Sequence, residues 1–145
     1  MSADQRSFAF DGVGGKWEWY EEDGLNVPIA EIRQHGDRIA AADGEHAARD
    51  FKALIAEKLK LAGRGQLQVP EDGRPHLFVA GGVMEIKWGL RGAQWRLYYC
   101  EPLHLHAARV MLALHFTQKI DLARQDEDIQ EAARRWSCWQ AGPQD

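Results

Sequence analysis

Three short runs between Val83 and Phe116 constrain the fold more than any other part of the sequence. In Val83–Trp88, Met84, Ile86 and Trp88 alternate with Val83, Glu85 and Lys87. In Trp95–Cys100, Trp95, Leu97 and Tyr99 alternate with Arg96, Tyr98 and Cys100. In Ala108–Phe116, Val110, Leu112, Leu114 and Phe116 alternate with Arg109, Met111, Ala113 and His115. A period of two puts alternate side chains on opposite faces, so each run reads as a strand. Gly89 and Gly92 join the first pair, and a loop around Pro102 joins the second. Links this short leave no room for a parallel crossover, and an antiparallel meander follows.

The flanking sequence supplies helices. Asn26 and Pro28 make a cap followed by an early proline, and Ile29, Ile32 and Ile39 follow, with Gly36 interrupting. Asp43-Gly44 marks a turn. Glu45 to Ala62 is the clearest helix, with Phe51, Leu54, Ile55, Leu59 and Ala62 at helical spacing and Gly63 as its C-cap. Gly65 to His76 reads as a connection. Asp126 to Trp136 closes the chain as a helix, with Ile129, Ala132, Ala133 and Trp136 inward and acidic residues in a first turn that suits the helix dipole. Near the N-terminus, Phe8, Phe10, Trp17, Trp19 and Tyr20 surround Gly12–Gly15, as in a strand or hairpin. Residues 1–7 and 140–145 are expected to fray. The expectation is one α+β domain over residues 1–145: a small antiparallel sheet with two N-terminal helices on one face, and a C-terminal helix.

Composition narrows the class. A chain of 145 residues can bury a core without a disulfide or a metal, and Cys100 and Cys138 lack CxxC spacing. No uncharged stretch approaches the ~20 residues of a membrane span and no signal peptide opens the chain, so no membrane role and a cytoplasmic location are expected. The net charge of −4 hides an asymmetry. Residues 1–75 hold ten Lys/Arg and fourteen Asp/Glu, whereas residues 76–124 hold six Lys/Arg, three Asp/Glu and four of the six histidines, His76, His104, His106 and His115. A basic island of this kind attracts phosphate despite the overall sign.

Strand parity sharpens the point. If the apolar sets face the helices, the other face collects Glu85, Lys87, Arg96, Tyr98, Arg109 and His115, with Lys119 just beyond. Cations, a phenol and an imidazole on one face suit an RNA phosphodiester, whose cleavage needs charge stabilisation and proton transfer but no metal. The competing reading is simple: the open face of any antiparallel sheet is polar because it meets water. The other signals are weaker. His104-Leu105-His106 has metal-ligand spacing but no carboxylate or cysteine to complete a site, so no metal is expected. Cys100 reads as a sheet cysteine, and Gly12-Val13-Gly14-Gly15 lacks the phosphate-loop pattern.

The motifs resemble a known family. Met84-Glu85-Ile86-Lys87 and Gly92-Ala93-Gln94-Trp95-Arg96-Leu97-Tyr98-Tyr99 resemble the "ElR…g…YRvfY" pattern of RelE/HigB-type toxins, in particular their phage-derived branch. Leu114-His115-Phe116-Thr117-Gln118-Lys119 resembles "LhgFxKK", and Ile129-Gln130-Glu131-Ala132-Ala133-Arg134-Arg135 resembles the closing "eIxxAxxr". The likeness spans about Trp17 to Trp136, with the motifs confined to residues 83–135. It implies a RelE-like fold and a type II toxin that cleaves mRNA on the ribosome without metal or cofactor. It also implies a cognate helix-turn-helix antitoxin. Carried onto this chain, Arg96 would clamp the phosphate, Lys87 and Lys119 would stabilise charge, His115 or Tyr98 would assist proton transfer, and Arg91 and Arg109 would add RNA contacts.

Three positions depart from the pattern. Lys87 stands for an arginine, Gln118 for the first lysine of the pair, and no proline occurs at Leu122-Ala123-Arg124. These departures leave a second function open: a non-catalytic RelE-like protein of phage or mobile-element type that binds a host protein. Its contacts would fall on the acidic N-terminal half or on the aromatic C-terminus, where Trp136 and Trp139 lie.

Overall fold

The computed structural model describes residues 7–74 and 82–141. After a 3-10 turn at Phe8–Phe10 come β1 (Lys16–Trp19), β2 (Glu21–Glu22), β3 (Leu25–Asn26), α1 (Val27–Asp43) and α2 (Glu45–Gly63). Then follow β4 (Gly73–Arg74), β5 (Met84–Leu90), β6 (Ala93–Cys100), a 3-10 turn at Leu103–Ala108, β7 (Val110–Lys119) and α3 (Leu122–Ala141). The main sheet has the order β1-β7-β6-β5-β4, and β2 and β3 form a separate small hairpin. The α+β class and the β5-β6-β7 meander are as expected. The wholly antiparallel sheet is not: β1 runs parallel to β7, because the two helices between them carry the chain back to the same end.

Local chemistry accounts for the helices. The Asn26 side chain accepts from the Ile29 amide and Pro28 occupies the first turn, so α1 starts where its cap dictates. The helix runs through Gly36 instead of breaking there, and the missing side chain makes room for Lys52 of α2, whose Cε would lie 2.9 Å from a Cβ at that position. Helix α3 begins earlier than its apolar pattern suggests, since Asp121 caps it by accepting from the Arg124 amide at 2.7 Å. The acidic run Asp126–Asp128 therefore lies in the second turn, and Asp128 turns inward. Gln140 also belongs to α3 and Ser7 is buried, so neither is frayed; the expectations for residues 1–6 and 142–145, and for His76, lie outside the described residues. Among the described residues no helix is long and apolar enough to cross a membrane.

The sheet separates two cores. On one face α1 and α2 bring Ile32, Phe51 and Ile55 against Ile86, Trp88, Trp95, Leu97, Met111, Ala113 and Phe116. On the other, α3 brings Ile129, Ala132 and Trp136 against Tyr98, Cys100, Leu112 and Leu114. The two N-terminal helices share one face, as expected, while α3 lies on the other, so the face expected to be open is covered over much of its area. The reason is a bulge. Tyr98 pairs with His115 but Tyr99 pairs with Ala113, so β7 carries one extra residue, Leu114, and its alternation reverses. Leu112 and Leu114 consequently leave the set that Phe116 belongs to.

The glycine-rich turn before β1 serves packing. The Gly12 amide donates to Gly65 O at 2.9 Å and the Gly15 amide to Gly63 O at 3.1 Å, which docks the turn on the end of α2. Gly14 has φ +89°, and a Cβ there would lie 1.9 Å from Gly63 O, whereas one at Gly12, also left-handed, would meet open space. Gly14→Ala is expected to cost about 2–4 kcal/mol, combining backbone strain with a backbone clash, and Gly12→Ala about 1 kcal/mol, from strain alone. Urea unfolding of the two variants checks the difference.

Candidate functional site

Strand register fixes which candidate residues share a face. Lys87 pairs with Arg96 and Arg96 with Thr117, forming one row across β5, β6 and β7. The next row towards the β5–β6 turn joins Gly89, Gln94 and Lys119. In the other direction Glu85, Tyr98 and His115 form a third row. Four of the candidates, Lys87, Arg96, Tyr98 and His115, and Lys119 beside them, are therefore brought together, as strand parity requires. Their exposure divides them. Lys87 and Lys119 are half-buried and Gln94 is exposed, whereas Arg96, Tyr98 and His115 are buried.

The burial comes from α3 and from one side chain of α1. His115 Nδ1 lies 2.8 Å from Glu31 Oε2, and its Nε2 lies 3.2 Å from Asp128 Oδ1. Arg135 closes the cluster, donating to both Glu31 oxygens at 3.0 and 2.8 Å, to Glu131 at 2.8 Å and to Leu114 O at 2.8 Å. That carbonyl belongs to the bulge residue, so the helix satisfies a group that the bulge removes from the ladder. Burial opposes a charge on His115, but the bonds to Asp128 and Glu31 outweigh it and hold the imidazole above its ordinary pKa. Glu31 is held below the usual carboxylate value: burial works against it, and His115 and Arg135 overcome that. With both ring nitrogens donating to carboxylates, His115 has no lone pair to act as a base.

Arg96 is similarly engaged. It is 5% exposed and sits beside Glu85, which is 1% exposed; its Nε is 3.7 Å from Glu85 Oε1, and its Nη1 donates to Trp95 O at 2.9 Å. Glu85 is bracketed from the other side by Arg74 Nε at 2.7 Å, and Gln125 of α3 approaches it at 3.4 Å. Burial, together with the nearby Glu85 charge, raises the Tyr98 pKa well above the ordinary phenol value. Two buried atoms here, Arg96 Nε and Asp128 Oδ2, have no hydrogen-bond partner among the described residues.

Arg91 and Arg109 lie elsewhere. Arg91 is exposed in the β5–β6 turn with φ +52°. Arg109 precedes β7 at its far end, where it pairs with Asp11, donates to Gly14 O and covers the Phe8 ring at 4.2 Å. His104 and His106 rest on different rings, Trp139 and Phe8. The residues that sequence reasoning missed are Glu31, Gln125, Asp128 and Arg135. A signal existed for the last three: they fall on the same helical stripe as Ile129 and Ala132, where polar residues have to find partners. Nothing in the local sequence marks Glu31, which lies 84 positions from His115.

Compared with protein-family models, with curated proteins and with solved structures, the chain matches none.

A pH signature follows from the His115 cluster. A group whose folded pKa is raised contributes its full stabilisation below its unfolded value of about 6.5 and loses it as pH rises through the folded value. Thermal unfolding is therefore expected to show stability falling above about pH 6.5, and His115→Gln to flatten that slope. His115→Ala, which leaves Glu31 and Asp128 buried without their shared donor, is expected to cost about 3–5 kcal/mol at neutral pH in urea unfolding.

Proposed function

We propose that this chain is a RelE-like toxin of a type II toxin–antitoxin pair, an endoribonuclease that cleaves mRNA on the ribosome without metal or cofactor. Its partner is a helix-turn-helix antitoxin and its place the cytoplasm. The observation that carries the reading is the cationic strip, Lys87, Arg96 and Lys119, on adjacent rows of one sheet face, at the end that α3 leaves partly open. The family likeness in residues 83–135 and the arrangement of two helices between β1 and the meander support it.

Attack of a ribose 2′-oxygen on phosphorus forms a 2′,3′-cyclic phosphate and breaks the bond to the 5′-oxygen, with solvent water taking the 2′-hydroxyl proton and returning one to the leaving oxygen; negative charge builds on the phosphoryl oxygens, and fixed cations at a partly dry surface stabilise that charge. Lys87 and Lys119 supply it here. Arg96, held by Glu85, fixes the local geometry and adds charge from below. The proton-transfer roles first expected of His115 and Tyr98 drop out, because one has both nitrogens engaged and the other is buried under α3. The protein's contribution is charge stabilisation.

The same burial favours a second reading: a non-catalytic RelE-like protein of phage or mobile-element type that binds a host protein. Induced expression in a bacterium separates the two, comparing wild type with Lys87→Ala/Lys119→Ala, substitutions at the rim that spare the buried clusters. Growth arrest with mRNA loss in the wild type, relieved by about tenfold or more in the double variant, is the expected outcome. Arrest by both proteins with intact mRNA establishes the second reading. Unimpeded growth with soluble, folded wild type present overturns the nuclease.

A further inference from the structure

Gly89 lies within β5, in the row it shares with Gln94 and Lys119, and nothing in the fold requires a glycine there. A glycine inside a strand serves a left-handed φ, a bulge, tight packing, or the close approach of another molecule. Gly89 is not among the positive-φ residues. The β5–β6 register runs unbroken from Met84 opposite Tyr99 to Leu90 opposite Ala93, so no bulge is present. A Cβ at Gly89 would meet nothing closer than Gln94 Nε2 at 3.5 Å, an ordinary contact. The position is exposed, where a β-branched residue would suit the strand better. Of the four reasons, the approach of another molecule is left.

The surroundings of this bare stretch of backbone suit a nucleotide. Gln94 stands directly opposite on β6, exposed, and its carboxamide makes no hydrogen bond among the described residues. Lys119 completes the row on β7, and Lys87 lies on the same face two residues before Gly89, about 7 Å along the strand. Neither ammonium has an ion-pair partner among the described residues. A bare phosphate would need the cations alone. An uncharged carboxamide beside an open peptide plane adds what a base needs: a flat floor for the ring, and a paired donor and acceptor at its edge. Glutamine offers adenine this match, giving a hydrogen to N7 and taking one from N6.

We propose that Gly89 and Gln94 form a base seat beside the cationic strip: one base of a single-stranded RNA lies flat on the Gly89 backbone, Gln94 pairs with its edge, and Lys87 and Lys119 hold the neighbouring phosphates. RNA as the ligand rests on the function proposed above, but the seat does not require cleavage.

The probe is a fluorescein-labelled oligoadenylate of eight nucleotides whose methylated 2′-oxygens cannot attack phosphorus. It is titrated with the full chain at low salt and read by fluorescence polarisation, beside an abasic oligomer of the same length and charge. Wild type is expected to bind the oligoadenylate about fivefold or more tighter than the abasic oligomer. Gly89→Val, which fills the floor, and Gln94→Ala, which removes the edge contact, should each weaken oligoadenylate binding severalfold and leave abasic binding within twofold. Lys87→Ala/Lys119→Ala should weaken both oligomers alike. Thermal unfolding of Gly89→Val is expected at or above the wild-type temperature. Equal binding of the two oligomers by wild type overturns the proposal, as does an undiminished preference in both Gly89→Val and Gln94→Ala. Loss of both oligomers in Gly89→Val overturns it in favour of a blocked phosphate strip, and a lowered unfolding temperature shows that the fold itself needs the glycine. The seat and the nuclease fail separately: a base preference that depends on Gly89, in a chain that leaves mRNA intact, keeps the seat and ends the nuclease, and mRNA loss with no such preference does the reverse.

Discussion

Leu114 has no single partner on β6, because Tyr98 takes His115 and Tyr99 takes Ala113, and the side-chain alternation of β7 reverses at that point. Before the bulge, Met111 and Ala113 look towards α1 and α2; after it, Phe116 does. Leu112, Leu114 and His115 look the other way, towards α3. One inserted residue thus gives the central pair of strands two apolar faces in place of one. Two such faces each need a cover, and α3 is bound in by the demand as firmly as α1 and α2 are on theirs.

The two covers differ in kind. Under α1 and α2 the contacts are aromatic and aliphatic, with Phe51, Trp95 and Phe116 in mutual ring contact at centroid distances between 4.9 and 6.0 Å. Under α3 an apolar patch is bordered by His115, Glu31, Asp128 and Arg135, and by the Glu85 group. Buried charge of this sort contributes little net stability, since desolvation consumes most of the Coulombic gain. Its contribution is registry: only one seating of α3 places Arg135 on the bulge carbonyl and Asp128 on the imidazole together.

Much of this was legible. The period-two runs gave β5 and β6 correctly, and the helical periodicity gave α2 nearly to the residue, since both patterns are local consequences of burial. The bulge was not legible, because Leu112, Leu114 and Phe116 keep a faultless alternation in sequence while the backbone breaks it. Parity read through the bulge then assigned Leu112 and Leu114 to the wrong face, and the covered face was taken for an open one. The candidate strip was recovered all the same, since Lys87 and Arg96 lie on β5 and β6 where alternation holds. The chemistry of His115 was not recoverable, because it is set by Glu31 from a helix more than eighty residues away. The parallel placement of β1 was hidden for the same reason: four residues, Lys16–Trp19, carry no mark of their distant partner.

The reach of Glu31 also bears on how this molecule meets others. Strand β1 covers β7 only from Val110 to Ala113, and past that point the Phe116 amide donates to Glu31 Oε1 at 2.9 Å. Across the sheet, the amide of Lys87 is taken by Asp72 O and its carbonyl by Lys58 Nζ. Where β7 runs past β1 and where β5 runs past β4, these three backbone groups are taken by the chain's own residues and not left for a foreign strand. Groups capped in this way are withdrawn from strand pairing with another copy, and recognition at those stretches falls to the side chains.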